Sequence, residues 1–379
     1  MNTEVLSRPI VVPGNSSRFF STRREALRQP TGIVELAWRS KDPYLFNAGF
    51  DSSLISHDDA YCTSVVDINQ VTQVPTLTYV RERVLSHLAA EAHVVDIGCG
   101  QGEFVEALRK WGIQAVGFDP VLRRQTPYLH PRYWKPGDSP ADLYVMRCVL
   151  PHIPDPWSFL REVARSSPGS FVLVEFQRLE WILDEAIWYQ ISHDHVNLFT
   201  VDDFTNRFTV IEHGTFSNGE WGWVLIDPGT IRPAIHRTCG LKSHIDDLLS
   251  VRESTLRRAA DLDRPIAIWG AAGKGIVLGH ALADCGVDDV SVIDADPSRW
   301  DLHIEPTGIQ VLSPDDAFGH LSERTLILVC NPNHLRDIQG LVDGRWELAL
   351  PRDVAEEDQR TATSGRPRPA RGRWRPARR

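Results

Sequence analysis

The stretch HVVDIGCGQGEF (93–104) limits what this 379-residue protein can become more than any other. An apolar, β-branched run reaches Asp96 and Ile97, glycines follow at 98, 100 and 102, and a helical pattern begins at once. That order reads as a buried strand, a tight turn and a helix. It recurs: QAVGFD, DLYVMRCV and SFVLVEF are further strands, with helical stretches such as DPWSFLREVARS between them, and the helical TLTYVRERVLSHLAAEA precedes the first. Strands that alternate with helices predict a parallel, doubly wound sheet.

A second unit of the same kind follows. SNGEWGWVLIDPG (217–229) closes the first, and the helical SHIDDLLSVRESTLRRAADLD leads to the strands of PIAIWGAAGKG, DVSVIDADP, GIQVLS and TLILVCNP. The expected fold class is α/β, with two Rossmann-like doubly wound domains in series at 81–229 and 230–353. Residues 1–80 show no clean period, although GIVELAW (32–38) reads as a short strand, and they form a small N-terminal cap. From 354 to 379 the sequence turns to Arg and Pro, ending RTATSGRPRPARGRWRPARR. Such a segment buries too little apolar surface to offset its ordering entropy and is expected to be disordered.

Composition narrows the function classes. At 42% apolar and 24% charged the protein is of soluble globular type, and its net charge of −9 argues against a body that binds nucleic acid, which needs surplus Lys and Arg. No stretch has the roughly 18 uncharged apolar residues of a membrane span, and the N-terminus lacks a signal pattern. A cytoplasmic location without membrane association is expected. The six cysteines, at 62, 99, 148, 239, 285 and 330, contain no CxxC pair, so neither a disulfide framework nor a thiolate metal site is indicated.

The first glycine turn is G-x-G-x-G, whereas the dinucleotide fingerprint is G-x-G-x-x-G. A pyrophosphate needs the N-terminus of the following helix. A ligand without phosphates needs only close backbone approach and polar anchors for its amino-acid and ribose parts. S-adenosylmethionine meets that description. The candidate donor site is Asp96, Gly98, Cys99, Gly100 and Gly102, then Phe118, Asp119 and Pro120, where Asp119 ends the next strand and accepts from the ribose hydroxyls. Arg147, Cys148, Val149 and His152 follow the next buried strand and line the adenine side. The plain alternative is a tight turn without a ligand.

ISHDHVNLF (191–199) puts two histidines around an aspartate. His193 and His195 would point to opposite sides of a strand with no obvious third ligand, so a metal site is the weaker reading, and solvent-facing turn residues are the bland one. An imidazole oriented by a carboxylate is a proton acceptor suited to neutral pH.

DIGCGQGEF, GFDP and HIPDPWSFLREV resemble the motifs of class I S-adenosylmethionine-dependent methyltransferases. FVLVEFQRLEWILDEAIWYQISHDHVNLFTVDDF is similar to the segment of sugar C-methyltransferases that runs from a strand-end glutamate to a Tyr-His-Glu-His motif. Those enzymes act on a nucleotide-linked ketosugar through an enolate. The resemblance implies that His195 is the general base, Asp194 its carboxylate partner, His193 the motif's first histidine, and Glu175 the glutamate facing the acceptor. The motif's tyrosine falls on Ser192 and its glutamate is shortened to Asp194; Tyr189, one helical turn upstream, is the candidate replacement for the phenol.

IAIWGAAGKGIVLGHAL with VIDADP resembles the C-terminal domain of the same enzymes and implies a role in shaping the acceptor site. The zinc ligands of their N-terminal domain are missing, with Arg28 and Thr31 standing where cysteines would be. The expected partner is a small-molecule acceptor, a nucleotide-linked sugar. Three alternatives stay open: methylation of another natural-product or polysaccharide intermediate, on carbon or oxygen; a nucleotide-binding relative without catalysis; and an NAD(P)-dependent oxidoreductase that uses GAAGKG.

Overall fold

The computed structural model describes residues 3–39, 43–58, 60–61, 74–124, 126–233 and 240–355. Cys62, Cys239 and the Arg/Pro-rich segment from 356 onward, expected to be disordered, lie outside the described residues. Residues 354 and 355, also assigned to that tail, are helical instead, and the apolar side chain of Val354 is buried in the core.

The cap is built from short strands, β1 (Thr3–Val5), β2 (Ile10–Pro13), β3 (Phe19–Phe20), β4 (Thr31–Val34), β5 (Leu36–Arg39) and β6 (Leu45–Asn47), with one turn of helix, α1 (Arg23–Ala26). GIVELAW, read as one strand, is two. It breaks at Glu35, whose N–H donates to the Asn47 side chain at 2.9 Å, so β4 pairs with β2 while β5 pairs with β1 and β6.

The first α/β unit opens with α2 (Val74–Tyr79), which continues as a π-helical segment (Val80–Val84). Its strands are β7 (His93–Ile97), β8 (Gln114–Phe118), β9 (Leu129–His130), β10 (Leu143–Arg147), β11 (Phe171–Gln177), β13 (Thr209–Phe216) and β14 (Trp221–Asp227), in the order β13-β14-β11-β10-β7-β8-β9. β7 to β11 are mutually parallel, as the sequence predicts, whereas β14 runs antiparallel to both β11 and β13 because a tight 217–220 turn joins it to β13. The strand order reverses between β7 and β10, and a ligand crevice is expected at the carboxyl ends of strands at such a switch point. α3 (Glu103–Lys110) starts from Gly102 and carries acids in its first turn and bases in its last, which suits the helix dipole. α4 (Pro156–Ser166) is capped by Asp155, whose side chain accepts from Ser158 N–H at 3.0 Å. After α5 (Leu179–Asp184) the backbone forms β12 (Asn197–Leu198), which leaves this unit and becomes the fourth strand of the cap sheet, β1-β5-β6-β12.

The second unit follows α6 (Val201–Thr205) and the long α7 (Lys242–Asp261). Its five parallel strands, β15 (Ile266–Trp269), β16 (Val290–Ile293), β18 (Val311–Leu312), β19 (Leu326–Val329) and β20 (Glu347–Ala349), lie in the order β18-β16-β15-β19-β20, with α8 (Lys274–Asp284) after β15. β17 (His303–Ile304) pairs with β3 of the cap. One hydrophobic core joins Leu6, Val34 and Trp38 of the cap, Trp181 to Ile191 after β11, and Ile268, Ile276 and Leu328 of the second unit. The cap is therefore a wedge that both units grip. Among the described residues no helix is long and apolar enough to cross a membrane.

Gly32 shows how tightly the wedge is seated: a Cβ there would lie 2.5 Å from Cγ of His193. Gly32→Ala should cost about 1–3 kcal/mol of stability through overpacking. Denaturant unfolding checks this, and an unchanged midpoint would show that the ring has room to move.

Candidate active site

The first glycine turn lies at the crevice expected from the topology. Gly98, Gly100 and Gly102 have φ of +74°, +58° and +90°, a region that disfavours side chains. A Cβ on Gly98 would meet Val149 at 2.3 Å, and one on Gly102 would meet Leu129 at 2.6 Å. Asp119 clasps this turn from the end of β8, its carboxylate accepting from Gly100 N–H and Val121 N–H, both at 2.9 Å. One bond per oxygen leaves acceptor capacity on each. Phe118 is buried and stacked on His130, Cys99 lies under the turn with its thiol pushed up by burial, and Pro120 continues the loop.

Asp96 is fully buried, and neither carboxylate oxygen has a hydrogen-bond partner among the described residues. Burial pushes its pKa up to about 7, partly offset by Arg147. Strand register explains the pairing: Asp96 lies opposite Val145, and Arg147, two residues on, lies opposite Glu175, so all three side chains leave the same face of the sheet. The Arg147 guanidinium lies over the Phe104 ring at 4.6 Å, and among the described residues its buried Nε also lacks a partner. An orphaned buried carboxylate, acceptor capacity on Asp119 and glycines packed too closely for side chains fit a cationic, ribose-bearing donor.

Glu175, expected to face the acceptor, is turned instead toward α2, where Thr76 and Tyr79 donate to its Oε2 at 2.6 and 2.8 Å. The alternation of β11 puts it on the side of Leu173, away from Phe176 and Phe199.

His152 has partners beyond those expected. Besides following the β10 strand beside the donor turn, it reaches the other half of the site: its Nδ1–H donates to the carbonyl of Asp194 at 2.8 Å, and its ring meets that of His195 edge-on at 4.7 Å. The β10 loop is thereby tied to the 191–199 stretch. Cys148, between them, has φ of +58° and a thiol held high by burial.

The two histidines of the SHDH stretch have different fates. His193, expected in the proton-transfer group, is fully buried in the cap: its Nε2 accepts from Asp51 N–H at 3.1 Å and its Nδ1 donates to the Ile33 carbonyl at 2.9 Å. Both nitrogens are committed, so it is a structural tie. His195 is half-buried and lies 3.4 Å from the Gln190 amide. Burial holds its pKa below the ordinary value, the neighbouring His152 adds to this, and Asp194 opposes it. Asp194 does not hydrogen-bond to that ring as expected; both its oxygens accept from the Ser16 hydroxyl at 2.9 Å. Tyr189 is fully buried in the shared core against Trp188, with Cys330, Arg352, Asp353 and Glu220 as its electrostatic neighbours, so its phenol is not turned to the His195 side as the replacement for the missing tyrosine would be.

Sequence reasoning passed over Ser16 and Tyr61. The Tyr61 phenol is bonded to Ser17 and feels the charges of Asp194 and Asp119, which places it between the two halves of the site. Neither residue lies in a periodic segment, so no sequence signal marked them.

The second glycine turn repeats the first with its openings filled. Asp294 clasps it from the end of β16, accepting from Ala271 N–H at 2.7 Å and Asp296 N–H at 2.8 Å, but Arg299 also donates to it at 2.9 Å. Gly273 N–H donates to the Ser16 carbonyl at 2.8 Å. Lys274, considered from sequence for a phosphate, pairs with Glu220 of the first unit at 2.6 Å. This turn is committed to holding the units together.

Fold and site define a doubly wound α/β unit with a glycine-turn crevice at its topological switch point. Residues 76–210, rather more than a third of the sequence, match the family model of the methyltransferase domain. The protein thus carries a methyltransferase domain. No curated protein matches it. Among solved structures it is similar to a protein from Pyrococcus horikoshii OT3, with 16% identity over 43% of this chain and 93% of that one and a TM-score of 0.34. It is also similar to an S-adenosylmethionine-dependent methyltransferase from Methanosarcina mazei (18% identity, 38% and 94% covered, TM-score 0.30) and to another from Clostridium acetobutylicum (10%, 43% and 92%, 0.32).

Two outcomes follow from the geometry. Gly98→Ala should lose about 1–2 kcal/mol from its left-handed backbone alone, and more from Val149; adding Val149→Ala should recover only the steric part in urea unfolding. Asp96 has its folded pKa raised, so its unfavourable contribution is absent below about pH 4, grows as pH rises, and is complete above about 7. Asp96→Asn should therefore flatten the fall in stability between pH 4 and 7, and an unaltered slope in thermal unfolding would contradict the assignment.

Proposed function

We propose that this protein methylates, on carbon, a small ketone-bearing acceptor, a nucleotide-linked ketosugar, with His195 as general base. The observation that carries this reading is the His152–Asp194 hydrogen bond, which joins the loop beside the donor turn to the stretch that holds His195. Asp96, Gly98, Gly100, Gly102 and Asp119 hold the donor, which supplies an electrophilic methyl group when bound. Burial keeps His195 neutral at physiological pH, the state that can accept a proton. Among the described residues, Gln190 Oε1 is a buried acceptor without a partner. Turning that amide so that Oε1 accepts from Nδ1–H satisfies it and leaves the Nε2 lone pair for the acceptor. His195 then removes the proton next to the acceptor carbonyl, the enolate carbon takes the methyl, and the proton stays on Nε2 until solvent removes it.

Incubation with methyl-labelled donor and a panel of nucleotide-linked ketosugars, read by mass spectrometry, should give a product one labelled methyl heavier. His195→Ala should keep S-adenosylhomocysteine binding while turnover falls by about 10²–10⁴. Asp119→Ala should abolish that binding in calorimetry. Full turnover by the His195 variant would remove the base from the mechanism.

A further inference from the structure

Ser16 belongs to the cap, far in sequence from the 191–199 stretch, yet it is bonded to both glycine-turn units at the site. Its hydroxyl lies 2.9 Å from each oxygen of Asp194, its N–H is 3.4 Å from one of them, and its carbonyl accepts from Gly273 N–H of the second unit at 2.8 Å. Ser16 and Asp194 are both buried, so water does not compete for these bonds. Among the described residues no hydrogen bond joins the Asp194 carboxylate to an imidazole, although its own backbone carbonyl receives one from His152.

From this geometry we infer that Ser16 is a positioning residue for the base: by occupying both oxygens of Asp194 it holds that carboxylate away from the His195 ring. The inference rests on His195 being the base. A carboxylate left loose beside two histidines would turn to the nearer ring, form a charge-assisted hydrogen bond and favour the imidazolium. The base would then carry a proton at neutral pH and be useless as an acceptor. Pinned by Ser16, Asp194 stabilises the imidazolium only through its charge, while the remaining groups facing His195, the His152 ring and the Lys274 ammonium, oppose it. Around Asp194 the other titratable groups are His57, Tyr61 and Glu305. His57 already shares its Nδ1 with the Tyr133 hydroxyl at 3.0 Å and the Tyr61 phenol is bonded to Ser17, so the carboxylate is restrained by the hydroxyl of Ser16, together with that of Ser192 on its own stretch of backbone.

The test needs no methyl acceptor. In the full-length protein, the imidazole of His195 is titrated by NMR and assigned by the signal lost in His195→Gln. Ser16→Ala should raise its midpoint by about one unit or more, the shift expected of a newly adjacent opposite charge. Ser16→Thr, which keeps the hydroxyl, should titrate as wild type, and Ser16→Ala with Asp194→Asn should lose the rise. Ser16→Gly gives the same test if the alanine variant does not fold. A midpoint unmoved in the hydroxyl-free variants, or a rise that survives Asp194→Asn, would overturn the inference. Calorimetry with S-adenosylhomocysteine separates this from the functional reading: failure of the wild type to bind would sink the methyl-transfer reading without touching the titration.

Discussion

The structure depends on the tie between the cap and residues 192–195. His193 lies inside the cap with one nitrogen accepting from Asp51 N–H and the other donating to the Ile33 carbonyl, and Gly32 leaves room for the ring. Breaking such a tie removes two hydrogen bonds, each with a net contribution of about 0.5–1.5 kcal/mol. The next residue, Asp194, is held by Ser16, and β12 then adds a strand to the cap sheet. Three consecutive anchors fix the backbone on both sides of His195, so its ring is presented from a rigid support and not from a loose loop. The cap, in turn, shares its core with residues of both units and is stable because they close on it.

The paired glycine turns show how one local device can serve two ends. In each, an acid at the end of the second strand reaches back to a turn N–H and forward to an N–H two residues on. Asp119 keeps lone pairs beyond those two bonds, whereas Arg299 occupies Asp294 and bridges to Asp296. Glu220 completes the change of role: it enters the second unit's crevice and accepts from Lys274, Asn331 and Asn333. A carboxylate with that many donors is strongly favoured in its ionised form, and its pKa is accordingly lowered although burial opposes this. Through these bonds the second unit is fastened to the first.

What the sequence revealed followed from range. The donor turn is local: a strand, three glycines and the start of a helix lie within twelve residues, and Asp119 follows the adjacent strand, so spacing alone located them. The parallel strands were legible for the same reason. The partners of the SHDH stretch were not, because Ser16, Ile33, Asp51 and His152 approach it from four separate segments and no period in any of them announces the contact. His193 and His195 look equivalent in sequence and differ only in which side of the backbone the cap covers. Glu175 and Tyr189 fail as acceptor-side groups for a related reason. The resemblance located the segment, but strand alternation and the packing of a short helical turn decide where each side chain points.

The buried charges of the donor crevice bear on why its ligand should be a cation. Asp96 and Glu175 leave the same sheet face, Asp119 lies at its edge, and Arg147 is the guanidinium set among them. Burial raises the pKa of all three acids, which means that their ionised forms are less stable here than in water. A positive ligand group in the crevice would lower that penalty, and the gain would be large because the surroundings exclude water. A neutral ligand of the same shape would not recover it. Transfer of a methyl from a sulfonium turns the first kind of ligand into the second, so the acids that favour donor binding would cease to favour the spent donor as soon as the methyl has moved. Release then needs no separate device, since the electrostatic attraction is lost in the same event that completes the reaction.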